Sequence, residues 1–282
     1  MNTRHTVARA RALARLEVQR VAETRRSFAN WPLVLGQVGL QQVGRGTDAI
    51  TFRTRTGLRV ECPNRPGARV PVYEVFAEDW YQLPWFLDQL TDRPITVIDV
   101  GAHIGTFALH LAQVHPQATI HCFEPSPTTA NFLRRNVELN GFADRIAVVE
   151  SALSSERGEA QLSDNRSGSG HNRLVRLGGA KPGGHATTVT TVTFDEAVRS
   201  SVSLVDVVKI DCEGAEYDFV LGSSASSWTS VERVVLEYHQ VEGRTWDELR
   251  DWFAAVGLHV VKHSSVVAGV GAAWLSRQPL PA

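Results

Sequence analysis

The run Val97-Ile98-Asp99-Val100-Gly101-Ala102-His103-Ile104-Gly105 constrains this chain more than any other stretch. β-Branched residues between Thr96 and Val100 read as a buried strand, and Phe107, Ala108, Leu111 and Ala112 recur at helical spacing beyond it. Gly101 and Gly105 permit a tight turn between the two. Strand, glycine turn and helix make a nucleotide-type site, because the first N–H groups of the helix have no acceptor within it and point into the turn. With no side chain at Gly101, a small polar ligand can lie against bare main chain. A dinucleotide site takes G-x-G-x-x-G to seat a pyrophosphate, and Gly101-x-x-x-Gly105 lacks the middle glycine. A ligand with a nucleoside and no pyrophosphate fits better. The next strand, Ala118 to Phe123, ends at Glu124-Pro125, where a carboxylate is placed to accept hydrogen bonds from a ribose diol.

Three segments together resemble the signatures of the FkbM family of S-adenosylmethionine-dependent methyltransferases. They are Asp99 to Gly105, Phe123-Glu124-Pro125, and Val208-Lys209-Ile210-Asp211-Cys212-Glu213-Gly214-Ala215-Glu216, and the resemblance runs over about residues 70 to 277. It implies a class I methyltransferase fold, an α/β, doubly wound, mostly parallel, Rossmann-like sheet of seven strands with one antiparallel strand near its edge. It implies S-adenosyl-L-methionine as cofactor, with Asp99, Gly101, His103, Gly105, Glu124, Pro125, Ser151, Ala152 and Asp211 around it. Ser151-Ala152, after the third strand, takes the place where adenine sits. His103 stands where the family usually has asparagine, which alters one cofactor contact, since an imidazole donates one hydrogen bond. The reaction implied is O-methylation of a hydroxyl on a small molecule, a secondary metabolite or sugar.

Composition excludes several other classes. An apolar fraction of 43% and a charged fraction of 21% are ordinary for a globular protein with a sizeable core. A formal net charge of −1 gives no reason to expect nucleic acid or an anionic membrane as partner. Cys62, Cys122 and Cys212 are far apart and form no C-x-x-C pair, which argues against a disulfide framework or structural zinc and makes a reducing cytoplasm the default. Val266 to Leu275, the most apolar late run, is too short and glycine-interrupted to span a membrane.

Residues 1–92 read as an N-terminal extension and 93–282 as the cofactor-binding domain. The first 30 residues carry seven Arg and two Glu, with Ala10, Leu13, Ala14, Val18 and Val21 at helical spacing. This basic amphipathic helix is expected to pack on its own domain or on a second copy, in preference to serving as a transit peptide. Ile50 to Thr54 and Leu58 to Glu61 alternate about Thr56-Gly57 as a β-hairpin. Tyr73 to Leu90 holds six large aromatic residues and reads as a helix covering the sheet, with some side chains free to line a substrate mouth. Residues 154–186 are rich in Ser, Gly, Asn, Asp and Arg and read as a lid-like excursion, in which His171 and Asn172 face substrate or solvent.

The polar residues at strand ends define the expected chemistry. Asp211 ends the fourth strand, and Glu237 and His239 end the fifth on one face, since side chains two apart in a strand project alike. His239 is the candidate general base, with Asp211 and Glu237 orienting it. Alternatively Asp211 and Glu237 hold Mg²⁺ as hard oxygen ligands. Glu213, Glu216 and Asp218 read as acids favoured by a helix N-terminus. Two other functions stay open on residues alone: an NAD-dependent oxidoreductase, against which the missing glycine counts, and an inactive nucleoside-binding module.

Overall fold

The computed structural model describes residues 19–164, 174–176, 185–201, 204–267 and 269–281. A helical run over residues 19–27 and α1 (Trp31–Gln42) precede the hairpin of β1 (Ala49–Arg53) and β2 (Arg59–Pro63). Ile50 pairs with Cys62 and Phe52 with Val60, so alternation turns all four to the buried face. Of the predicted apolar stripe, Ala10, Leu13, Ala14 and Val18 lie outside the described residues, and Val21 is exposed and not packed on the domain. The end of the N-terminal helical run is built into the core: the Phe28 ring meets those of Phe52 and Tyr73 edge-on at 4.8 and 5.5 Å.

The aromatic stretch forms two helices and not one, α2 (Pro66–Phe76) and the short α3 (Leu83–Phe86). Asp79 and Gln82 between them take left-handed backbone, each with φ 50°, a conformation no helix continues through. The Lys262 ammonium clamps the second piece to the sheet, 5.7 Å from the Trp85 ring and 5.0 Å from the Trp274 ring.

The main sheet is laid down in chain order. β3 (Ile95–Val100), α4 (Thr106–Val114), β4 (Ala118–Phe123), α5 (Pro127–Leu139) and β5 (Ile146–Val149) form the first half. A small excursion sheet comes next, of β6 (Ala152–Leu153), β7 (Gly158–Asp164), β8 (Leu174–Arg176) and β9 (His185–Val192). The second half runs α6 (Phe194–Ser200), β10 (Val207–Ile210), α7 (Glu216–Leu221), β11 (Arg233–Tyr238), α8 (Trp246–Ala255), β12 (His259–Val267) and β13 (Val270–Ser276). The seven strands lie in the order β12-β13-β11-β10-β3-β4-β5. β13 is antiparallel to both neighbours and β11, β10, β3, β4 and β5 are mutually parallel, as the family resemblance implies. From β3 the chain winds outward through β4 and β5, then returns to β10 on the other side. The crevice between β3 and β10 is thus the switch point at which open sheets take ligands.

The described parts of the excursion, expected as a polar lid-like segment, are strands. β7 pairs antiparallel with β9 along its whole length, from Gly158 opposite Thr191 to Asp164 opposite His185. Polar Glu159 and Gln161 alternate with buried Ala160 and Leu162, a period of two that the overall polarity of the segment conceals. His171 and Asn172 lie outside the described residues. Strand alternation also divides the core. Val97, Val207 and Val235 pack toward the N-terminal layer, in one cluster with Phe28, Phe52 and Tyr73, while Ile98, Val208 and Leu236 pack on the opposite face. Among the described residues no helix is long and apolar enough to cross a membrane.

Candidate active site

The cofactor-type turn is tied to its neighbours by main chain. Gly101 and Ala102 both donate their N–H to the Phe123 carbonyl, at 3.0 and 3.1 Å, and Asp211 N–H donates to the Val100 carbonyl at 3.1 Å. Gly101 has φ 71°, and a Cβ there would overlap the Asp211 carbonyl oxygen. This glycine is therefore demanded by the contact between the β3 and β10 tips, whereas on sequence alone it is explained by ligand approach. Gly105, at φ 87°, leaves room for the Leu133 side chain.

A cavity opens above these tips. Gly101, His103, Glu124, Pro125, Ala152 and Asp211, all expected around the cofactor, line it. Three expected residues do not stand on its wall. Gly105 lies behind Thr106, Ser151 is buried next to lining Ala152, and Asp99 is fully enclosed. Asp99 instead faces Lys209, whose Nζ is 3.2 Å from its Oδ1. The cover helix α2 adds Glu74, the loop after it Tyr81, and the excursion sheet Leu162.

Glu124 is held by two backbone N–H groups. Its Oε2 accepts the His103 N–H and its Oε1 the Ser126 N–H, both at 2.9 Å. Burial pushes its carboxyl up to about 7, against the pull of those two N–H groups. Each carboxylate oxygen keeps a lone pair for a ligand hydroxyl. Burial drives the His103 imidazole down to about 4, so the ring is neutral, and its Nδ1 is buried without a protein partner. Glu74 rises to about 7, through burial and then the charges of Asp211 and Glu78.

Asp211, Glu237 and His239 do converge, each with a polar atom within 4.8 Å of the others. Asp211 joins this cluster to the cavity wall. Glu237 is oriented by the cover segment: Trp80 Nε1 donates to its Oε1 at 2.9 Å and the Tyr81 hydroxyl at 3.3 Å. Burial, with Asp211 and Glu74 close by, lifts its carboxyl well above the usual range. His239 is set by Glu216, which is 0% exposed. Glu216 Oε1 accepts the His239 N–H at 2.6 Å and lies 3.3 Å from Nδ1, while Oε2 accepts the Gly214 N–H at 2.8 Å. Burial alone would lower the His239 imidazole, but the Glu216 contact and the charges of Asp211 and Glu213 outweigh it and hold the ring at about 9. His239 therefore carries its proton at neutral pH, which is unsuited to the base role expected of it. Glu216 is a first-turn acid of α7, as expected, but it is buried and latches the tip of β10 to the end of β11. Asp218 likewise serves structure, accepting from the Ser154 hydroxyl at 2.8 Å and the Ser155 N–H at 2.9 Å.

Lys209 is a site residue to which sequence reasoning gave no role. A signal was available: a lone lysine inside the otherwise apolar run Val207 to Ile210, in a chain whose basic residues are nearly all Arg. Glu74 joins the site from a segment far away in sequence and no spacing marks it, while Trp80 and Tyr81 come from the aromatic stretch expected to offer side chains to a substrate mouth.

Fold and cavity define a class: an open, mostly parallel α/β sheet of Rossmann type, with acids gathered at its switch point. The methyltransferase FkbM domain family matches residues 99–260. The chain belongs to this family and is a methyltransferase. It is 30% identical over 221 residues to the 31-O-demethyl-FK506 methyltransferase FkbM of Streptomyces tacrolimicus, covering 68% of this chain and 83% of that one. Methyltransferase sdnD of Sordaria araneosa is 27% identical, over 60% of this chain and 74% of its own. The 2-O-methyltransferase NoeI of Sinorhizobium fredii is also 27% identical, over 54% and 67%. Family membership rules against the nicotinamide-dependent alternative.

Proposed function

We propose that the protein transfers a methyl group from S-adenosyl-L-methionine to a hydroxyl of a small molecule, a sugar or a secondary metabolite. The observation that carries this reading is Asp211, which stands both on the cavity wall and in the Glu237–His239 cluster. The donor set of the cavity suits such a cofactor. Glu124 has lone pairs for a ribose diol, and Asp211, Glu74 and Glu213 give the wall the negative character that a sulfonium and an ammonium call for. Gly101, His103, Pro125 and Ala152 would complete its contacts. When bound, the cofactor supplies a methyl carbon made electrophilic by the positive sulfur.

The chain's own work is to orient the acceptor and take its proton. Glu237, fixed by Trp80 and Tyr81, is the group placed to receive that proton once ionised; its carboxyl is raised to about 8, so the base form, and turnover with it, should grow as pH rises through that value. Protonated His239 stabilises the carboxylates beside it. The names of two relatives, a 31-O-demethyl-FK506 methyltransferase and a 2-O-methyltransferase, support oxygen as the methylated atom. A second reading has Asp211, Glu237 and His239 bind a divalent cation such as Mg²⁺, favoured by the approach of their polar atoms to within 4.8 Å. Incubation with methyl-labelled S-adenosylmethionine and a panel of hydroxylated sugars and metabolites tests the proposal. Label on oxygen supports it; label on nitrogen or carbon overturns it, and cofactor binding with no turnover on any acceptor marks an inactive module.

A further inference from the structure

Lys209 is the one Lys or Arg among the described residues that lines the cavity. Its side chain is 3% exposed and extends from the middle of β10 toward the neighbouring β3 tip. An ammonium has three donors, and two of them go to carbonyls at the β3 tip and the turn after it, with the Asp99 carboxylate beside them as an ion pair. Nζ donates to the Gly101 carbonyl at 2.8 Å and to the Val100 carbonyl at 3.4 Å, and lies 3.2 Å from Asp99 Oδ1. Asp211 Oδ2 is 3.8 Å away. Burial opposes the charge on Lys209, but Asp99, then Asp211 and Glu237, outweigh it and raise the ammonium above its ordinary value. Burial raises Asp99 as well; two backbone carbonyls accepting from Nζ make the ammonium–carboxylate form the one the geometry favours.

A buried ion pair is a poor device for stability alone, because apolar residues of similar volume commonly do as well or better. What apolar residues cannot do is hold a carbonyl. We propose that Lys209 is a positioning residue for the cofactor: through the Gly101 carbonyl it holds the glycine turn in register with the tip of β10. The turn and Asp211 then meet the ligand as one surface. The inference rests on the cofactor reading above, and Asp99 enters it as the counter-ion of Lys209.

The test is the double variant Lys209→Met with Asp99→Asn, which removes both buried charges together and so avoids an orphaned carboxylate. S-Adenosylhomocysteine binding is measured by calorimetry beside the melting temperature. The expected result is a melting temperature within a few degrees of wild type and affinity weakened about 10- to 100-fold, the worth of a charged hydrogen bond. Affinity within twofold of wild type overturns the proposal and leaves Lys209 as a structural counter-ion. If the methionine variant does not fold, Lys209→Gln with Asp99→Asn takes the same test. Wild-type protein that fails to bind S-adenosylhomocysteine would sink the cofactor reading instead, which separates the two failures.

Discussion

Replacing Glu124 with glutamine keeps the side-chain volume and changes one feature, the second hydrogen-bond acceptor. Both carboxylate oxygens now accept backbone N–H groups at 2.9 Å, in a site where the residue is 7% exposed. In Glu124→Gln the amide oxygen keeps one of these, and the amide nitrogen meets the other N–H donor to donor. A hydrogen bond to a charged group is worth roughly 1.5–3 kcal/mol, and ~1.4 kcal/mol is tenfold in affinity. The dissociation constant for S-adenosylhomocysteine should therefore rise roughly 10- to 150-fold. The carboxyl's raised value adds a pH signature. Burial lifts it from 4.5 to about 7, so the stability tied to its neutral form is present below 4.5 and lost as pH rises through 7. Ligand hydroxyls favour the charged form, so wild-type binding should tighten as pH rises toward 7 and release a proton near pH 6. Calorimetry in two buffers of different ionisation enthalpy reads that proton, and the variant should lose this part of the release. An affinity within twofold of wild type, with the melting temperature unchanged, would refute the assignment.

Gly101→Ala adds a Cβ onto the Asp211 carbonyl at a left-handed φ of 71°, and should lower both the melting temperature and cofactor affinity, the latter at least tenfold, by thermal scan and calorimetry. Phe28→Ala empties a fully buried ring site and should cost about 3–5 kcal/mol in urea unfolding; truncation to Trp31 should do at least as much, and an unchanged midpoint would show the N-terminal segment to be dispensable. His239, held at about 9 against an ordinary 6.5, contributes stability present below 6.5 and lost as pH rises through 9, on the order of 3 kcal/mol; urea titrations at pH 6 and 10 on wild type and Glu216→Gln should show the difference shrink in the variant. Glu237→Gln should reduce turnover roughly 10²–10⁴-fold with cofactor affinity preserved, and activity abolished by EDTA and restored by Mg²⁺ would replace the proton-acceptor role of Glu237 with the metal reading.

The local elements of the nucleotide-type half were legible because they depend on short-range chemistry. Thr96 to Val100 and Ala118 to Phe123 are apolar or β-branched runs bounded by turns, and each is a strand within a residue of its predicted limits. The alternation of Glu237 and His239 correctly turned both toward Asp211, since the pleat fixes side-chain direction. Tertiary structure decided what lies between segments. Asp99 and Lys209 are 110 residues apart, and only the parallel register of β3 and β10, Lys209 opposite Asp99, makes them partners and takes Asp99 off the cavity wall. Glu216 is the helix-start acid its position predicts, but the approach of β11 buries it against His239 and reverses the protonation expected of that ring. Trp80, Tyr81 and Glu74 reach the site because the cover segment folds across the sheet. A residue's conformation follows from its neighbours in sequence, but its charge state follows from burial and from the charges brought beside it, and those belong to the folded chain.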